Sequence, residues 1–153
     1  MFAVVRIRGR VDVPPDVKTT LKLLRLHKKF HATLVDDKPS YIGMLRKVQD
    51  YVTWGEINYA TLALLLRRRG RLEGGAKLTD DYVKKYGFSS IEEFAKAIVE
   101  GKAKITDIPK LKPIFRLSPP SGGFKGTIKR HYKDGGELGY RGEAINELIE
   151  RMA

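Results

Sequence analysis

The chain has 153 residues, 30 Lys+Arg against 18 Asp+Glu for a formal net charge of +12, and no cysteine. That length suits one domain, or a small domain with an appendage, and the missing cysteine excludes disulfides and thiolate metal sites. No apolar run approaches the roughly 20 residues that span a bilayer, and the start Met1-Phe2-Ala3-Val4-Val5-Arg6 is charged too early for a signal peptide, so the chain reads as cytosolic.

The predicted elements begin with Ala3-Val4-Val5-Arg6-Ile7-Arg8, β-branched and alternating after Val4. This is the pattern of a half-buried strand, with Val5 and Ile7 toward a core and Arg6 and Arg8 away from it. Gly9 to Pro15 is a turn, and Pro15 or Asp16 can open a helix whose apolar face is Val17, Leu21 and Leu24 and which ends near Leu26–His27. His31 to Val35 reads as a second strand. Asp36-Asp37-Lys38-Pro39 breaks it, Ser40 can cap a second helix carrying Met44, Leu45 and Val48, and Tyr51 to Trp54 is a third strand closed by Gly55. Two helices between three strands favour a two-layer α+β sandwich over residues 1–55.

Residues 56–112 read as a helical extension. Asn58 caps a helix that ends at Gly70, Thr79 caps a short one that ends at Gly87, and Ser90 with Glu93 forms a capping box for a helix stopped by Gly101. Residues 113–153 hold a short strand at Pro113–Leu117, a Gly/Pro-punctuated loop from Ser118 to Gly142, and a final helix from Glu143 to Met152. Structureless loops of that length are usually functional or disordered.

A hydrophobic fraction of 42% suffices for a packed core, so the surplus charge rides on a folded surface and calls for a polyanion. Nucleic acid is the commonest one in a cytosol. Only three Asn and Gln residues occur (Asn58, Asn146, Gln49), which with abundant Lys, Arg and Glu hints at a hot source. The charge is uneven. Residues 2–30 carry eight basic groups against Asp12 and Asp16, whereas residues 134–153 carry five acids against Arg141 and Arg151.

Three basic clusters are candidate phosphate contacts. The first joins Arg6, Arg8 and Arg10 to Lys18, Lys22, Arg25 and Lys29, a stripe at i, i+4, i+7, i+11 along the first helix, with Lys28 beside it; a solvated helix face is the plain alternative. The second is Arg67, Arg68, Arg69 and Arg71, which also suit the negative end of a helix dipole but exceed what that needs. In the third, Lys125, Lys129, Arg130 and Lys133 interleave with Phe124, His131 and Tyr132 among glycines. Cations for phosphates and rings for bases suit irregular RNA, while a loop pinned to the core by its aromatics is the alternative. His31 and Arg46 complete the candidate RNA-binding set.

Catalytic patterns are missing. His27 and His31 do not share a helix face and no third ligand accompanies them, Gly122-Gly123-Phe124-Lys125-Gly126-Thr127 lacks the Walker order, and the Asp36–Asp37 and Asp80–Asp81 pairs sit where caps and turns explain them. No cofactor is expected. A basic helix without Phe or Trp on its apolar face also argues against a membrane surface.

From Thr20 to Val52 the chain carries Thr20-Leu21, Leu24, Leu26, Lys28, His31, Thr33, Met44-Leu45, Val48 and Tyr51-Val52, a pattern specific by its spacing. With Tyr41-Ile42-Gly43-Met44, Leu117-Ser118-Pro119-Pro120-Ser121-Gly122-Gly123 and Gly135-Gly136-Glu137-Leu138-Gly139, it resembles the L-thirty family of the large ribosomal subunit in its long archaeal and eukaryotic form, over essentially the whole chain. The resemblance implies a ferredoxin-like core with an antiparallel three-stranded sheet and a helical extension. It further implies a structural protein without catalytic activity, bound to large-subunit rRNA near 5S rRNA and beside other ribosomal proteins. A free RNA chaperone or processing factor on the same scaffold is the rival reading.

Overall fold

The first strand, β1 (Phe2–Arg6), is buried along its whole length. Its two faces look into two different cores. Phe2 and Val4 pack with Leu21, Leu24, Leu26, Leu45, Val48 and Trp54, whereas Ala3, Val5 and the following Ile7 pack with Leu62, Leu65, Phe94, Ile98, Ile145 and Ile149. A strand covered on both faces needs an apolar run, which Phe-Ala-Val-Val supplies. The computed structural model, which describes residues 1–153, continues with α1 (Pro15–Leu23), β2 (His31–Val35), α2 (Pro39–Lys47), β3 (Val52–Glu56), α3 (Tyr59–Arg69), α4 (Asp80–Lys84), α5 (Ile91–Val99), β4 (Ile114–Arg116), β5 (Thr127–His131), β6 (Gly136–Tyr140) and α6 (Ala144–Met152).

The expected antiparallel trio is present, with β1 between β2 and β3. It is the middle of a larger sheet, ordered β4-β2-β1-β3-β6-β5. β4 adds antiparallel to β2, β6 parallel to β3, and β5 parallel to β6 with an irregular register. A three-stranded sheet in two layers is therefore corrected to a mixed six-stranded sheet between two helical layers, α1 and α2 on one face and α3, α5 and α6 on the other. The stretch 118–142, expected as a loop, supplies β5 and β6. Gly136 lets the two approach, since a Cβ there would stand 2.1 Å from the Arg130 carbonyl oxygen.

Several element ends follow from local chemistry. Asn58, Thr79 and Ser90 each accept a hydrogen bond from the backbone N–H three residues on, as expected of N-caps. Pro39, expected to precede the second helix, is instead its first residue, where its missing N–H is no loss. Gly55, expected to close β3, lies inside it, and a Cβ there would sit 1.8 Å from the Gly142 carbonyl oxygen. α1 ends three residues early. Arg25 adopts φ 63°, Arg25 N–H donates to the Lys22 carbonyl and Leu26 N–H to the Leu21 carbonyl, and Leu21 and Leu26 meet in the core. This is a Schellman end with arginine in the left-handed position that glycine usually fills.

Candidate nucleic-acid interface

Strand pairing sorts the charges. Arg6 at the end of β1 pairs with Val52 at the start of β3, and His31 at the start of β2 pairs with Arg116 at the end of β4. One end of the sheet therefore gathers Arg6 to Arg10, the His27–His31 approach to β2, and Arg116. α2 delivers Arg46 to the same end, and Arg69 ties the end of α3 there by donating to the Arg116 carbonyl at 3.0 Å. At β5, His131 Nε2 lies 2.8 Å from Asp50, which precedes β3, so Lys129, Arg130 and Lys133 join the far side of this end. The opposite end collects acids. There the Tyr140 hydroxyl donates to Glu56 at 2.6 Å, and its pKa is raised by that bond, then by burial and by the charges of Glu56, Asp37 and Glu143.

The expected contact residues divide by what their side chains touch. Arg10, Lys18, Lys22, Lys28, Arg46, Arg68, Lys129, Arg130 and Lys133 are exposed. They form no ion pair. Arg10, Lys18 and Lys22 border one concavity beside His27. Lys29 lies over the Phe30 ring at 5.1 Å, and Arg8 over Tyr51 at 5.2 Å.

Arg6 is not the outward cation that alternation predicts. It is 4% exposed and donates to the carbonyls of Leu26, Arg8 and Gly9, bracing the α1–β2 connection. Burial, then the charge of Arg10, lowers its pKa. The four-cation helical stripe is also corrected. Lys18 and Lys22 lie on α1, but Arg25 caps it and Lys29 lies beyond it, because the Schellman turn redirects the chain; Arg25 borders a groove with Met1, Leu34 and Asp36 toward the acidic end. His31 is buried, and burial, then the charges of Arg116, His27, Lys28 and Arg6, lowers its pKa, leaving it neutral at pH 7.

The arginine run splits. Arg67 donates to Glu92 at 2.6 and 2.5 Å and to Asp80 at 3.0 and 3.2 Å, and those bonds raise its pKa, the Glu92 bond most. Its charge is spent on joining α3 to α4 and α5. Arg69 and Arg71 turn the other way and border a cleft with Lys112 and Arg116, two cations that sequence reasoning missed. Neither belongs to a run, and only the pairing of β4 with β2 brings them here. In the third cluster, Lys125 pairs with Glu147 at 2.6 Å, Phe124 packs 6.2 Å from Phe30, and Arg141 covers Tyr132 at 4.9 Å. These three residues help hold the segment to the body, while the cations on β5 and just beyond it point outward.

The family model described as ribosomal protein L30p/L7e matches residues 2–52, from β1 to the start of β3. Over 153 residues, 99% of either chain, the sequence is 62% identical to large ribosomal subunit protein uL30 of Archaeoglobus fulgidus. The chain belongs to the uL30 family. It is also 57% identical to uL30 of Staphylothermus marinus, over 99% of this chain and 98% of that one, and 53% identical to uL30 of Methanopyrus kandleri, over 95% and 99%. The uL30 match thus takes in the helical extension and the strands β4 to β6 as well as the core. No helix is long and apolar enough to cross a membrane.

Proposed function

We propose that the protein is a non-catalytic structural constituent of the large ribosomal subunit in the cytoplasm, holding large-subunit rRNA by many phosphate contacts, with 5S rRNA nearby and other ribosomal proteins as neighbours. The observation that carries this reading is the collection of unpaired cations at one end of the sheet, drawn from α1, α2, α3 and β5, while carboxylates occupy the other. The basic end would meet RNA and the acidic end would face away from it. Membership of the uL30 family supports the assembly; contact by phosphate neutralisation rests on the charge pattern.

If about six to ten phosphates are engaged, affinity for a large-subunit rRNA transcript falls by roughly 10³–10⁵ between 50 and 200 mM salt. A nearly flat salt dependence would overturn the mechanism. Sedimentation of cell extract separates a constituent, which travels with mature large subunits, from a free chaperone, which does not.

A further inference from the structure

We propose that the cleft between α3 and β4 is a dedicated site for two neighbouring phosphates of one RNA strand. The inference rests on the rRNA-binding reading and specifies it. Four cations converge there from two stretches distant in sequence: Arg69 at the end of α3 with Arg71 just after it, and Lys112 just before β4 with Arg116 at its end. The concavity is about 320 Å³, and no carboxylate lines it. A single phosphodiester carries one negative charge, so four convergent cations match more than one phosphate, and like charges held together without a counter-ion favour whatever anion enters.

The cleft is built in advance. Arg69 is fixed by the Arg116 carbonyl at 3.0 Å and the Ser118 hydroxyl at 2.7 Å, and Arg71 by the carbonyls of Arg68 and Gly70 at 3.2 and 2.9 Å. Ordering two guanidinium groups during folding lowers the entropy lost on binding. Lys112 and Arg116 make no side-chain hydrogen bond or ion pair and stay available. Next to Arg116 in the sheet stands His31, whose Nδ1 is buried without a partner. Its lowered pKa keeps this neighbour from adding a fifth charge.

The test compares wild type with Lys112→Ala/Arg116→Ala and with Lys84→Ala/Lys96→Ala, a control that removes the same charge from α4 and α5. The probes are an Archaeoglobus fulgidus large-subunit rRNA transcript and inorganic tripolyphosphate. In the cleft variant the salt slope of log affinity drops by about 1.4 to 1.8 and two adjacent phosphates of one strand cease to show ethylation interference. The control leaves both unchanged. Equal losses in the two variants, or an unchanged interference map in the cleft variant, would overturn the proposal. So would tripolyphosphate binding the cleft as tightly as RNA at matched salt, which would make it a site for free phosphates. Absence of RNA binding by the wild type would instead refute the broader rRNA reading, which keeps the two failures distinct.

Discussion

Arg141→Met removes the charge that ties the outer strands to the sheet. Arg141 and Glu137 are each 5% exposed at their side chains and meet at 2.7 Å. The guanidinium also donates to the Glu137 carbonyl at 2.5 Å and to Thr53 Oγ1 at 2.7 Å, and Glu137 in turn accepts from Gly126 N–H at 2.9 Å. The pair thus links β3, β6 and the lead-in to β5. Deleting one partner of a buried ion pair leaves an uncompensated charge, at a cost of about 3–5 kcal/mol, a large part of the roughly 5–15 kcal/mol that holds a domain folded. The single tryptophan, Trp54, pairs with Tyr140 at the end of β6 and reports on this region directly. Urea unfolding followed by its fluorescence should show the loss as a lowered midpoint. Glu137→Leu/Arg141→Met should recover most of it, because an apolar pair of similar volume is often neutral. A loss below about 1 kcal/mol for the single variant, or a double variant no more stable than the single, would refute the reasoning.

Arg25→Gly relieves a left-handed arginine and should stabilise the fold by roughly 0.5–1 kcal/mol, seen as a rise of a few degrees in Tm. Gly55→Ala drives a Cβ into the Gly142 backbone and should cost about 3 kcal/mol or more, a fall of roughly 6–12 °C on thermal unfolding. The carboxylates of Glu92 and Asp80 have lowered pKa values, Glu92 chiefly from its bond with Arg67 and Asp80 chiefly from the Ile91 N–H, with Arg67 contributing. Their contribution is therefore complete above their ordinary pKa and fades as pH falls through the folded-state value. Arg67→Gln should accordingly lower Tm less at pH 3 than at pH 7, with the difference shrinking in high salt because the groups are exposed.

Much of the first 55 residues is legible because each helix there carries a narrow apolar face and turn residues punctuate the strands. The N-caps at Asn58, Thr79 and Ser90 are equally local and equally readable. What escaped was set by tertiary context. Alternation along β1 implies one wet face, but α1 and α2 cover the Phe2 and Val4 side, where Arg6 turns in to the Leu26 carbonyl, and the helices of the extension cover the Ala3 and Val5 side. β5 holds one apolar residue, Ile128, among polar and basic ones, and β6 has two glycines in five residues, so they read as a loop until β3 offers β6 an edge. Pattern reasoning finds basic residues in runs, so it picks out Arg67 for its neighbours and passes over Lys112 and Arg116. The first turns out to be neutralised by two carboxylates, and the others become visible only once β4 brings them beside Arg69 and Arg71.

The segregation of basic and acidic groups to opposite ends of the strands makes the molecule an electric dipole as well as a cation. In the field of a polyanion such a body feels a torque in addition to a pull, so it turns its basic end forward before contact. Fewer encounters are then wasted on wrong orientations, an advantage that can raise association rates by roughly 10–10³ and that fades with ionic strength. Charge-neutral exchanges that swap a lysine at one end with a glutamate at the other would keep the net charge at +12 while slowing capture, separating the effect of arrangement from that of amount.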